Sequence, residues 1–260
     1  NSPAMMKALL INSAQSVDRR YTHDVNSTVN HQGWGLPDLQ RAAPALADAN
    51  RYGENLWPTR IIDQSLENAL ATGQSRSWDI RIGEDAMMYP LRFTLVWTDP
   101  AGNPNAAVKL VNDLDLIVTP LSDSDQSGPE SGEPSDEEES DVFYGNNIGS
   151  SVFNSVGATN DVVNNVENVF IEEPASKKYR VTVYARRVNV DALSDFYNSE
   201  EPKDKVDVVQ DFALVMSSGN PDVESAFDLR ETTPEEIELP AISSLTNGLP
   251  MLGRDVGANS

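Results

Sequence analysis

The chain has 260 residues, 39% of them hydrophobic, with 41 acidic against 19 basic side chains and a formal charge of −22. That length can bury one large core or two small ones. The charge excludes a phosphate-gripping nucleic-acid surface and fits a soluble, self-repelling, exported protein. No apolar run approaches the length of a membrane span, and the absence of cysteine excludes disulfides, thiol nucleophiles and thiolate metal sites.

The first stretch, Ser2-Pro3 followed by AMMKALLINSA, predicts a helix. Serine is a good N-cap and proline suits the first turn. Met5, Met6, Leu9 and Leu10 leave most of its surface apolar, so it should be buried on more than one side, and nothing nearby in the chain is an obvious cover. A polar loop over 17–30 leads to His31-Gln32-Gly33-Trp34-Gly35, read as a tight turn around a docked tryptophan. DLQRAAPALA (38–47) predicts a short helix that Pro44 ends or kinks.

Residues 49–59 read as a linker. From about Ile61 the apolar period becomes two. Strands are predicted around Trp78–Ile82, Leu91–Trp97, Val108–Thr119, Val166–Ile171, Tyr179–Ala185 and Gln210–Ser217, with a turn at Asp99-Pro100-Ala101-Gly102. Short strands without intervening helices indicate a mainly β fold, an antiparallel jelly-roll β-sandwich spanning 60–218. Within it, 122–141 carries nine acids and no base and reads as a disordered acidic insert. Residues 219–260, with Pro234, Pro240 and Pro250 and little periodicity, read as a flexible tail.

SPAMMKALLINSA and QGWGLPDL resemble the C-terminal end of the catalytic domain of subtilisin-like serine proteases, peptidase family S8. The blocks LVWTDPAG, LVNDLDLIVT, YGNN, NNVENVFIEEP, YRVTVYA and QDFALVMS are similar, in that order, to the C-terminal jelly-roll domain of the large alkaline subtilases. The acidic insert and the long segment 189–209 depart from that pattern. The resemblance implies that 1–48 close an α/β catalytic domain and that 60–218 form its accessory domain. It further implies a secreted serine endopeptidase as the parent. The family's Gly-Thr-Ser-x-Ala, Asp-Thr-Gly and His-Gly-Thr motifs do not occur in this sequence. The chain opens Asn1-Ser2-Pro3 without an initiator methionine, as a processed product or a fragment would. The expected partners are therefore an upstream catalytic domain of the same protease and, through it, protein substrates, with no nucleic acid and no membrane.

No residue here is expected to be catalytic. A serine hydrolase needs a base in reach of the serine and an acid to orient that base. Both histidines, His23 and His31, read as exposed loop or turn residues. The open question is the polar phase of 108–119 together with the Asn- and Glu-rich stretch 161–168. Asp113, Asp115, Asp161, Asn165 and Glu167 offer the oxygen ligands that calcium takes, and the resembled domains bind calcium. The bland reading is a solvated polar face. A rival function for the whole chain is a non-catalytic β-sandwich binding or adhesion module for carbohydrate or a cell surface, which would display exposed aromatics.

Overall fold

Period-two patterning builds antiparallel sheets in the computed structural model, which describes residues 2–15, 33–42, 59–63, 68–121, 142–148, 161–193, 208–219 and 227–231. The strands are β1 (Thr59–Ile62), β2 (Leu70–Ala71), β3 (Ser75–Ile82), β4 (Leu91–Val96), β5 (Asp113–Leu121), β6 (Phe143–Tyr144), β7 (Val166–Ile171), β8 (Lys178–Arg187), β9 (Val209–Gln210), β10 (Ala213–Ser218) and β11 (Phe227–Glu231). One sheet runs β1-β10-β4-β7, a second β11-β3-β8-β5-β6, and β2 pairs with β9. Every pairing is antiparallel.

One core lies between the two larger sheets. Phe93, Leu95, Val169, Leu214 and Met216 come from the first, and Trp78, Ile80, Leu114, Leu116, Val118, Val181 and Val183 from the second. Burial of each such side chain contributes about 1.5–3 kcal/mol, and their meeting from two sheets makes a β-sandwich.

The first sheet's other face is also apolar, and this is where the N-terminal helix α1 (Pro3–Asn12) sits. Ala4, Met5, Ala8 and Leu9 pack on Val96, Val166, Ala213 and Val215. The cover that seemed missing for this helix is thus the sandwich itself, supplied by strands some 80 to 200 residues on. Only one flank is buried: Met6 is 50% and Leu10 41% exposed. The helix begins as read, with the Ser2 hydroxyl accepting from the Met5 N–H at 2.9 Å and Pro3 in the first turn. At its end Asn12, fully buried, donates to Thr94 Oγ1 at 3.0 Å and to the Val215 carbonyl at 3.3 Å, and accepts from the Ser217 hydroxyl at 2.5 Å. Arg92 donates to the carbonyls of Asn12 and Ala14 and lies 4.9 Å over the Phe170 ring. A guanidinium on the last carbonyls of a helix also answers its macrodipole.

Gly33 and Gly35 both have positive φ, +61° and +105°, as the tight turn requires. Trp34 meets Phe170 edge-on at 6.0 Å, and Leu36 forms a bridge back to Gln15. The second helix, α2 (Leu39–Ala42), has only four described residues.

The structure departs from the sequence reading in four places. β5 starts at Asp113 rather than Val108, because the Asp99 carboxylate takes the N–H groups of Val111 and Asn112 at 2.9 and 2.7 Å. The turn in the loop before it falls at Pro104-Asn105 rather than at 99–102. The strand expected over 210–217 is broken at Asp211-Phe212 into β9 and β10. In the segment read as a tail, 227–231 form β11 against β3. His23, His31 and the insert 122–141 lie outside the described residues.

Candidate metal centre

The carboxylates of β5 do not face solvent. Asp113 is 1% and Asp115 2% exposed, and Glu167 on β7 is 1% exposed. The solvated-face reading is therefore overturned. β5 and β7 belong to different sheets, and they meet at a corner of the sandwich. Beyond Ile117 and Val118, β6 no longer pairs with β5, and Glu167 reaches the freed backbone: its Oε2 accepts from the Leu116 N–H at 2.5 Å. The Leu116 carbonyl is taken by the Gly145 N–H at 2.8 Å.

Gly145-Asn146 lock this corner. A Cβ on Gly145 would stand 2.2 Å from Glu167 Oε2, so no larger residue fits. Asn146 adopts φ +58°, a left-handed conformation that asparagine tolerates. Its backbone N–H donates to the Asn168 carbonyl at 2.8 Å, and its side chain accepts from the Asn168 N–H at 3.0 Å and donates to the Val166 carbonyl at 2.7 Å. Asn146 thus sews its loop to the free edge of β7.

The sequence reading missed Arg186. Asp113 pairs with Arg187 but Leu114 pairs with Ala185, so β8 carries one extra residue, Arg186, at a β-bulge. A bulge re-aims the side chain at its crest. Arg186 donates to Asp115 from Nε at 2.9 Å and from Nη2 at 3.1 Å, and its Nε stands 3.8 Å from Asp113. The only sequence signal was the Arg186-Arg187 pair, which interrupts the alternation YRVTVYA.

Of the five residues read as oxygen ligands, four act on one another electrostatically. Asp113, Asp115 and Glu167 are within electrostatic reach of one another, and Asp161 acts on all three. Asp161 sits at the rim, accepting from the side-chain amides of Asn146 and Asn164, both at 2.6 Å. Asn165 is placed elsewhere: its amide donates to the Trp97 carbonyl at 3.0 Å and its oxygen accepts from Lys7 of α1 at 3.3 Å.

The electrostatics are lopsided. Burial pushes the Asp113 carboxyl up to about 6 against the pull of Arg186 and Arg187. Burial likewise pushes Asp115 up to about 7, with Arg186 opposing and Asp113 and Asp161 adding to the rise. Glu167 is raised well above the usual carboxylate range, first by burial and then by Asp115. Asp113 Oδ1 and Glu167 Oε1 are buried and have no hydrogen-bond partner among the described residues. Dry carboxylate oxygens without donors carry a large desolvation cost unless a proton or a cation answers them. As the side chains stand, no three His, Cys, Asp or Glu among the described residues are arranged to hold a metal ion. Arg186 is the described cation in direct contact with the cluster, and Arg187 acts on Asp113 at longer range.

No family model matches the chain. Among curated proteins it is similar to three named "Serine protease/ABC transporter B family protein" from Dictyostelium discoideum. Identity to tagA is 28% over 192 residues, covering 72% of this chain and 9% of that protein. For tagD the figures are 27% over 208 residues, 69% and 10%, and for tagB 24% over 216 residues, 72% and 10%. The chain thus spans about a tenth of the length of these relatives, and through them it is similar to protease-related proteins.

Proposed function

We propose that this chain is the C-terminal accessory portion of a secreted subtilisin-like serine endopeptidase. In this reading residues 1–48 complete the catalytic α/β domain and the sandwich buttresses it. The observation that carries the reading is the way α1 is built into the sandwich. The helix that resembles the closing helix of a catalytic domain is held from beneath by the β10–β4 face and by Asn12, while Met6 and Leu10, one turn apart, point away from that face. A helix apolar on two sides and covered on one suits a position between two domains. The names of the Dictyostelium relatives support a serine protease as the parent. The rival binding-module reading calls for exposed aromatics, and among residues whose side chains are described no Trp, Tyr or Phe is more than partly exposed.

In the same reading the corner cluster is a calcium site. The donors are all hard oxygens, as calcium requires. Asp113 Oδ1 and Glu167 Oε1 are the two without partners. Asp115 and Asp161 would complete the carboxylate set, and a bound ion supplies the positive charge that lets buried carboxylates stay ionised.

The function is tested by labelling. The purified chain should neither hydrolyse casein nor react with a fluorophosphonate serine probe. The full-length gene product should do both, and should lose thermal stability when Met6→Asp and Leu10→Asp are introduced. A full-length product that the probe does not label would overturn the protease reading. Hydrolysis by the chain alone would overturn its accessory role. The calcium site is tested separately: Asp113→Ala and Glu167→Ala should each shrink the rise in Tm that calcium chloride produces in the parent chain.

A further inference from the structure

We propose that Arg186 is the cluster's built-in counter-ion and the competitor of its divalent cation, so that guanidinium and metal are alternative partners of Asp113 and Asp115. The inference rests on the calcium reading above and goes beyond it by naming what regulates the site. Three observations carry it.

The first is charge. Asp113, Asp115 and Glu167 are all but fully buried and Asp161 adds its field from the rim, yet Arg186 is the cation in direct contact with the buried set. Arg187 acts on Asp113 from the exposed side of the bulge, and with the acids ionised the two guanidinium groups still fall short of the cluster's charge, a shortfall that the two partnerless oxygens mark. A divalent cation would correct it, and at such short range it would repel the guanidinium strongly.

The second is occupancy. Arg186 bonds both oxygens of Asp115 in a bidentate pair. Those are oxygens a metal would draw on, and the same lone pairs serve the fork less well once a metal polarises them.

The third is mobility by design. The carboxylates hang from strand positions fixed by pairing with β8 and β4. Arg186 hangs from a bulge, retains 13% side-chain exposure, and is followed by the exposed Arg187. Its long stem can carry the guanidinium to water while the acids stay. When the ion binds, Arg186 leaves; when the ion is lost, Arg186 returns and keeps the corner from flying apart.

The test is Arg186→Gln in the whole chain, followed by calorimetric titration with calcium chloride and by melting in chelator and in excess calcium. Removing a competing positive charge should tighten the calcium Kd about tenfold or more. In chelator the variant should melt below the parent, and excess calcium should restore most of the difference, giving the variant the larger calcium-induced rise. A response in the variant where the parent shows none would support the proposal most strongly, since Arg186 would then be blocking the site outright. If the parent binds calcium and the variant binds equally or more weakly, Arg186 merely orients Asp115 and the proposal fails while the calcium site stands. If neither chain responds to calcium, the site reading itself fails and this inference with it. Should Arg186→Gln not fold in chelator, folding on calcium addition supports the proposal. Should it fold in neither condition, Arg186→Lys decides: it keeps the charge but loses the fork that occupies both Asp115 oxygens, so a calcium Kd equal to or tighter than the parent's supports the proposal and a weaker one overturns it.

Discussion

Replacing Gly145 by alanine adds one methyl group at the most crowded point of the corner. That Cβ would lie 2.2 Å from Glu167 Oε2, 2.7 Å from its Cβ and 2.8 Å from its Cδ. Backing away breaks the Glu167–Leu116 contact of 2.5 Å and strands a buried N–H. Overpacking costs about 1–3 kcal/mol and an unmet buried donor about 1–3 more. Gly145→Ala should therefore lose about 2–6 kcal/mol, or roughly 5–20 °C in Tm for a domain of this size. Gly73→Ala is the control: Gly73 has φ +84° but nothing within 4 Å of where the added methyl group would sit, so only the backbone strain remains, about 1 kcal/mol. The sharper assay is a double-mutant cycle in urea. With Glu167→Ala the methyl group has room, so the two substitutions should cost less together than separately, by about 1–2 kcal/mol. Strict additivity, or a Gly145→Ala cost no larger than that of Gly73→Ala, would refute the claim that Gly145 is there to admit Glu167.

Asn12→Ala removes the amide that joins α1 to Thr94, Val215 and Ser217, and should lower stability by about 2–3 kcal/mol in urea titrations; a loss within experimental error would mean the helix docks by apolar contact alone. Ending the chain after Gly219 removes β11 and opens the edge of β3, so amide exchange in β3 should quicken; unchanged exchange would count against that pairing. For pH the sign follows from the raised pKa of all three buried acids: the folded chain holds protons that the unfolded chain has released. Their contribution favours the fold below the ordinary carboxylate range and is lost as pH rises through about 6 for Asp113 and about 7 for Asp115. In chelator, the parent chain should therefore lose more stability between about pH 5 and about pH 8 than Glu167→Gln does, and a parallel loss in both would remove Glu167 from the account.

The strands that could be read from the sequence are those whose hydrogen bonds run along regular pairs. Val166–Ile171 has its expected bounds because its apolar phase and its ladder to β4 agree. What could not be read depends on partners far along the chain. Period two told that Asp113 and Asp115 share a face of β5, but what lies over that face is set by β7 and by the Gly145-Asn146 loop, so a solvated surface and a buried cluster look alike in sequence. The cover of α1 was hidden for the same reason, since Ala213 and Val215 reveal a second apolar face only once β10 is placed inside a sheet. Arg186 was hidden by a bulge, which breaks the alternation that pattern reading relies on. β11 was hidden among prolines and acids, being five residues that acquire meaning only against the edge of β3.

The position of the cluster gives its cost a purpose. Apolar residues of similar volume at 113, 115 and 167 would close the corner with less desolvation, since buried charges often contribute less than the hydrophobic groups that could replace them. On the calcium reading proposed above, the acids instead make the closure of the corner conditional on a cation. β7 carries the consequence onward. Glu167 faces the cluster, while Asn165, two residues before it, binds the Trp97 carbonyl and Lys7 of α1, and Val166 between them packs under the helix. A change in charge at the corner therefore acts on the same short strand that supports the N-terminal helix. In the proposed reading, where that helix closes a protease catalytic domain and the corner binds calcium, the ion would stiffen the seat on which the catalytic domain rests, and Arg186 would hold that seat together in its absence.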